Sequence, residues 1–319
     1  MKLTFILAIC YVCFLPGEYL AQQIAAAPGF RFYEKKEKAL YGQYTKTSAD
    51  SLPVIKDKFL INTLSGSFNA DEWYPDIARD SSGSYAVTWL DLRMGYNQIY
   101  AQFFDKNDNP IGGNIKVSDG PMDWNNRPVI ACNKKGDYVV AWSQSHNQIF
   151  VQLLNKDYGK YGLNLIVNSH SYANISEPSV AVASDGSFAV VYSTDKANTY
   201  MDDLYIVFFD KHGVRLRDDI LVNSQRGNQI SSFGWGNQIA VDGSDNFIVT
   251  WPAFEDNKSE IFAQLFYKNG NYINNNFLVS DSTSGGNYTF PTVCGTDSNK
   301  FLVVYGNNGV YGRIVNDEG

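Results

Sequence analysis

Apolar and polar residues alternate with period two in five separate stretches, and the five stretches align with one another. They begin at Pro75 (PDIARDSSGSYAVTW), Pro128 (PVIACNKKGDYVVAW), Pro178 (PSVAVASDGSFAVVY), Asn237 (NQIAVDGSDNFIVTW) and Pro291 (PTVCGTDSNKFLVVY). Two residues in, each copy has a β-branched side chain: Ile77, Ile130, Val180, Ile239 or Val293. The next position is always small: Ala78, Ala131, Ala181, Ala240 or Cys294. A turn follows at Gly83, Gly136, Gly186, Asp245 or Asn299, the residue types that tolerate positive φ. The strand after the turn starts on an aromatic, carries Val at its middle and ends on Trp89, Trp142, Tyr192, Trp251 or Tyr305. Period-two patterning around such a turn predicts a β-hairpin, five times over.

A third strand follows each hairpin: IYAQFFD from Ile99, IFVQLLN from Ile149, LYIVFFD from Leu204, IFAQLFY from Ile261 and VYGRIVN from Val310. In four units a turn then leads to a short fourth strand: Ile115–Val117, Leu165–Val167, Ile220–Val222 and Phe277–Val279. Four short antiparallel strands per repeat of about 50 residues is the signature of a β-propeller blade. The fifth unit stops where its fourth strand should begin, and a matching Phe59-Leu-Ile-Asn62 stands ahead of the first unit. The chain therefore reads as an all-β, five-bladed β-propeller closed by an N-terminal strand that completes the last blade, so that no sheet edge is left open there. The expected blades are 72–118, 125–168, 175–223, 235–280 and 288–319 plus 57–63, within a domain over 56–319. The small residues of the first strands are expected to line the channel.

Residues 1–22 read as a signal peptide: Lys2, an apolar run from Leu3 to Leu15, then a cleavage-like region. Residues 23–55 are a mixed polar leader. Export implies a secreted or cell-surface protein with no membrane insertion after signal removal. Of the four cysteines, Cys10 and Cys13 leave with the signal. Cys132 and Cys294 sit at different offsets in units three repeats apart, so they are expected as small buried residues and not as a disulfide. A net charge of −7 argues against a nucleic-acid partner. A monomer is expected.

Function must sit where the copies differ, just before the repeated Pro and just after the closing aromatic. Trp73, Trp124, Trp235 and Phe290 precede the first strands and would ring the channel mouth. Flat aromatic faces can stack on a sugar, with polar neighbours such as Arg127 fixing its orientation. The simpler alternative is that they plug the blade tops. Asp91 and Arg93, unique to unit one, are either further ligand contacts or a local clamp. Asp105-Lys-Asn-Asp-Asn109 partly matches a calcium loop but lacks its central Gly and distal Glu, so it reads as a hairpin turn. No cofactor and no metal are implied. For catalysis, Asp76, Glu177 and Glu255 could supply an acid/base set; five-bladed propellers that cleave furanosides or fructosides use acidic residues projecting into the channel mouth from different blades.

The string D-x-x-G-x-Y-x-V-x-W-x-D-x-R from Asp80 to Arg93, followed by I-Y-A-Q-x-F-D from Ile99, resembles a repeat of secreted bacterial proteins of the Bacteroidota type. The resemblance spans about Lys56 to Gly319 and is specific for a repeat, not for an activity. It fits a secreted scaffold that recognises a glycan or a surface protein, with a glycoside-hydrolase-like enzyme as the alternative.

Overall fold

The structure is a computed structural model. It describes residues 30–35, 39–44, 61–62 and 72–316, apart from 121–126, 146, 156, 158, 170–174, 196–200, 225–229, 232–237, 256–257, 282–288, 297–298 and 307–308. The chain divides into two units, Met1–Leu60 and Ile61–Gly319. In the first, β1 (Phe30–Lys35) and β2 (Ala39–Tyr44) form an antiparallel hairpin within the stretch expected to be a plain leader. The expected export signal lies outside the described residues, as do Phe59 and Leu60 of the expected closing strand.

The second unit is a series of antiparallel sheets, one per repeat, an arrangement that fits a five-bladed propeller. Blade one comprises β3 (Glu72–Arg79), β4 (Tyr85–Asp91), β5 (Gln98–Phe104) and β6 (Pro110–Lys116), paired in that order. Blade two repeats this with β7 (Val129–Cys132), β8 (Tyr138–Gln144), β9 (Gln148–Leu154) and β10 (Lys160–Ile166). Blade three has β11 (Ile175–Val182), β12 (Phe188–Asp195), β13 (Met201–Phe209) and a two-residue β14 (Ile220–Leu221). Blade four has β16 (Gln238–Val241), β17 (Phe247–Glu255), β18 (Lys258–Phe266) and β19 (Tyr272–Leu278). Blade five has β20 (Thr289–Gly295), β21 (Lys300–Gly306) and β22 (Val310–Asn316). A strand the sequence did not announce, β15 (Ile230–Ser231), pairs with both β13 and β17 and so joins blades three and four into one sheet.

The repeated columns are explained by packing between blades. Ile130, Val180 and Ile239 each lie in the cluster shared with the preceding blade, while Ala78, Ala131, Ala181 and Ala240 face the following one. The small column thus lets the next blade approach. The closing aromatics and the Val that directly follows each fourth strand meet in the same seams: Val117 with Trp142, Val167 with Tyr192, Val222 with Trp251 and Val279 with Tyr305. Cys132 and Cys294 carry thiols and are half-buried, not fully buried as expected.

Turns follow their sequence chemistry. The Asp80 carboxylate accepts from the amides of Ser82 and Ser84 at 2.8 and 3.1 Å. Asp105 does the same for Asn107 and Asn109, both at 2.8 Å, which makes the calcium-like string a capped hairpin turn.

Candidate functional site

Antiparallel pairing places Glu72 opposite Asp91, and Asp91 opposite Gln98. The starts of first strands and the loops joining second to third strands therefore share one face of the unit, the face expected to carry the channel mouth.

First strands arrive on this face through a repeated irregularity. The pairing register shifts between Trp73 and Asp76, between Ser176 and Ser179, and between Thr289 and Thr292, the same place in blades one, three and five. At two of these bulges an aromatic residue takes positive φ: Tyr74 at 54° and Phe290 at 53°. Each immediately precedes a proline, which itself disfavours compact backbone at that position. Bulky residues in the left-handed region are uncommon and cost of order 1–3 kcal/mol, and such strain collects at functional sites. The bulges leave Trp73 and Phe290 38% and 63% exposed. Tyr74 is turned inward, half-buried, with the Arg127 guanidinium 4.7 Å from its ring centroid.

Trp124 and Trp235 lie outside the described residues. Glu177 falls within the β11 bulge and Glu255 at the tip of the β17–β18 hairpin, opposite Lys258; only their backbone is described.

Asp76 lies on β3, an edge strand of blade one. Its carboxylate accepts from the Ile130 amide of the neighbouring first strand at 2.8 Å and from the Ile77 amide at 2.9 Å. Burial pushes its pKa up to about 6, against the pull of those two amides in the other direction.

Asp91 and Arg93 are a buried clamp and not an exposed ligand contact. The Arg93 Nε bonds both Asp91 oxygens at 2.9 Å, and the Trp89 indole donates to Asp91 at 2.8 Å. Arg93 also donates to Asn114 and lies 4.2 Å from the Tyr100 ring centroid. Burial alone would raise the Asp91 carboxyl; its bonds from Arg93 and Trp89 outweigh this and hold it below the usual carboxylate range.

The structure also reveals the bulge geometry that displays the aromatics. Its only trace in the sequence was an aromatic before a repeated proline.

No family model matches the chain, and no curated protein does. Among solved structures, it is similar to a protein of unknown function from Dyadobacter fermentans, with 9% identity over 78% of this chain and 80% of that one and a TM-score of 0.53. That likeness is one of fold. An α-L-arabinofuranosidase from Fusarium graminearum matches at 12% identity over 73% and 74%, TM-score 0.48. An endo-arabinase from Bacteroides thetaiotaomicron matches at 13% identity over 76% and 93%, TM-score 0.39.

Proposed function

We propose that this chain is a secreted or cell-surface binding module of the bacterial repeat type described above. Its scaffold is a five-bladed propeller closed by its own N-terminal strand, and it takes a glycan on the mouth face. The observation that carries the reading is the pair of bulges at Tyr74 and Phe290. There the backbone is held in a costly conformation and large aromatic faces are left open to solvent. An aromatic plug would be covered, whereas Phe290 is 63% exposed. Trp73 and Phe290 supply the stacking faces and Arg127 steadies the Tyr74 side; Trp124 and Trp235 are the further platform residues that the sequence offers. The acidic chain works as a monomer, without nucleic acid as a partner.

A glycan-array screen of the wild type, Trp73→Ala and Phe290→Ala tests this. An aromatic stacking contact contributes about 0.5–1.5 kcal/mol, so each variant is expected to lose roughly two- to tenfold in affinity for the glycans bound. No glycan bound, or affinities indifferent to both substitutions, would overturn the reading; capture of a surface protein instead would redirect it to that partner class.

The second reading, a glycoside hydrolase, draws on Asp76, whose carboxyl is pushed up to about 6 by burial at the edge of the first blade. Glu177 and Glu255 would be its partners. Turnover of aryl furanosides or pyranosides that is lost in Asp76→Asn would promote it; absence of turnover removes it.

A further inference from the structure

Four seams between blades are built alike, and the fifth is half present. In the first four, the residue that opens the repeated apolar run of each third strand is fully buried: Ile99, Ile149, Leu204 and Ile261. So are Val117, Val167, Val222 and Val279, the wedges just past the ends of the fourth strands. The hydrogen bonding is equally uniform. Each wedge donates its amide to the carbonyl of that opening residue, at 2.8, 2.8, 2.7 and 2.8 Å in turn. The side chain after each wedge, Ser118, Asn168, Asn223 or Ser280, accepts the opening residue's own amide at 2.8–3.0 Å.

On blade five the corresponding side chains stand in solvent. Val310 and Ile314 are 73% and 69% exposed, and Ile77, which would face them from blade one, is 53% exposed. The counterparts of Ile77 in blades two, three and four are all buried. Yet the blade-one half of a fifth seam exists. Trp89, Tyr100, Val87 and Phe104 form an apolar cluster against which Ile61 packs. Ile61 has the place of the wedge in the repeat, and Asn62 the place of the side chain that follows it. Asn62 also donates to Glu72 at 2.7 Å, next to Trp73.

We infer that blades five and one pack into a fifth seam with Ile61 as its wedge opposite Val310, and that Asn62 ties this seam to the mouth through Glu72. Asn62 Oδ1 receives the Val310 amide, as its four counterparts do, while its Nδ2 holds Glu72. Trp73 and Phe290 lie on the two sides of this seam, so packing it assembles the aromatic face. A ligand that touches both aromatics then favours the packed seam by the factor that seam packing favours the ligand. Only this last consequence rests on the mouth being the ligand face.

The test needs no ligand. In an Ile61→Cys/Val310→Cys variant, peptide mapping under oxidising conditions is expected to find the two residues linked within one chain. A link only between copies, or none in a variant with unchanged far-ultraviolet circular dichroism, overturns the pairing. Should that variant not fold, amide exchange on the wild type decides: the Val310 amide is expected to be protected at least a hundredfold, and exchange at the rate of an unfolded chain overturns the pairing. The tie to the mouth is tested by Asn62→Asp, which sets a carboxylate against Glu72. Acrylamide quenching of Trp73, read as the difference from a Trp73→Phe chain, is expected to rise about twofold and to return with Glu72→Lys added. Unchanged quenching in Asn62→Asp overturns the tie, whatever the glycan array finds.

Discussion

Asp76 places a single carboxylate between two blades, and its titration has a sign that can be measured. Its folded pKa of about 6 lies above the unfolded value of 3.8. Between those values the folded chain holds the extra proton, so the stability this group contributes is present in acid and is lost as pH rises through about 6. Urea unfolding at a series of pH values should show the wild type losing stability across that window relative to Asp76→Asn, which cannot ionise. Parallel curves would show that Asp76 is solvated like an ordinary surface carboxylate. Asp219 runs the opposite way. Burial would raise it, but the Tyr192 hydroxyl, the Ser169 amide and Arg215 outweigh burial and hold it low. Its stability is therefore present at neutral pH and lost as pH falls through its folded pKa. That unit one alone offers a carboxylate at the Asp76 position is plain from the aligned repeats. That the carboxylate reaches across to the Ile130 amide is not, because a period-two pattern says which face a side chain takes but not what waits there.

Within a blade, the fourth strand is the element that needs most help. In blades one, two and four it is bulged, with Gly112, Gly162 and Asn274 at φ 64, 70 and 57°. The bulge turns carbonyls away from the ladder, and one glutamine from the third strand collects them. Gln152 Nε2 donates to the carbonyls of Leu153 and Tyr161, both at 2.9 Å, and Asn164 donates back to Gln152 Oε1 at 2.6 Å. Gln102 with Asn114 and Gln264 with Asn276 repeat the brace. Asn164 and Asn276 also reach carbonyls of the blade before, Val117 and Val222. Blade three has Val207 where the glutamine would stand, and its fourth strand shrinks to two residues. Gln152→Ala should cost about 2–4 kcal/mol, since it leaves the Leu153 and Tyr161 carbonyls without this donor and removes one of the partners of Asn164. Urea midpoints measure this, with Gly113→Ala as the comparison. No atom would lie within 4 Å of the added methyl of Gly113→Ala, and this change should stay within about 0.5 kcal/mol. A cost for Gln152→Ala no larger than that of Gly113→Ala would discard the brace. The strands were legible from alternation and the turns from Gly, Asp and Asn. The brace was not, because a glutamine in a strand reads as a solvent-facing polar residue until the bulge beneath it is known.

Across the whole molecule, blades are held in sequence by seams that combine apolar packing with a few bonds at the turns. Ser81 donates to the Lys134 carbonyl at 2.6 Å, Asn133 to that of Ala183 at 3.0 Å and Gly243 to that of Thr296 at 2.8 Å. Lys268 of blade four bonds Asp185 of blade three at 2.8 Å, an exposed pair that adds little. Blades four and five approach more closely than a side chain allows. A methyl built on Gly295, at the end of β20, would stand 1.9 Å from the Val241 carbonyl oxygen, on the neighbouring first strand. That contact is with backbone, so relief requires the two first strands to part. Gly295→Ala should therefore cost about 3 kcal/mol or more and lower Tm by roughly 5–10 °C, far beyond the effect of an ordinary glycine replacement. Differential scanning calorimetry supplies the midpoint, and amide exchange supplies the location. Protection should fall first along β16 and β20, while β12 and β13 of blade three, one seam further away, keep theirs. A Tm within 2 °C of the wild type would mean that blades four and five do not meet backbone to backbone. Uniform loss of protection would mean that the unit unfolds as one body, with no seam weaker than another.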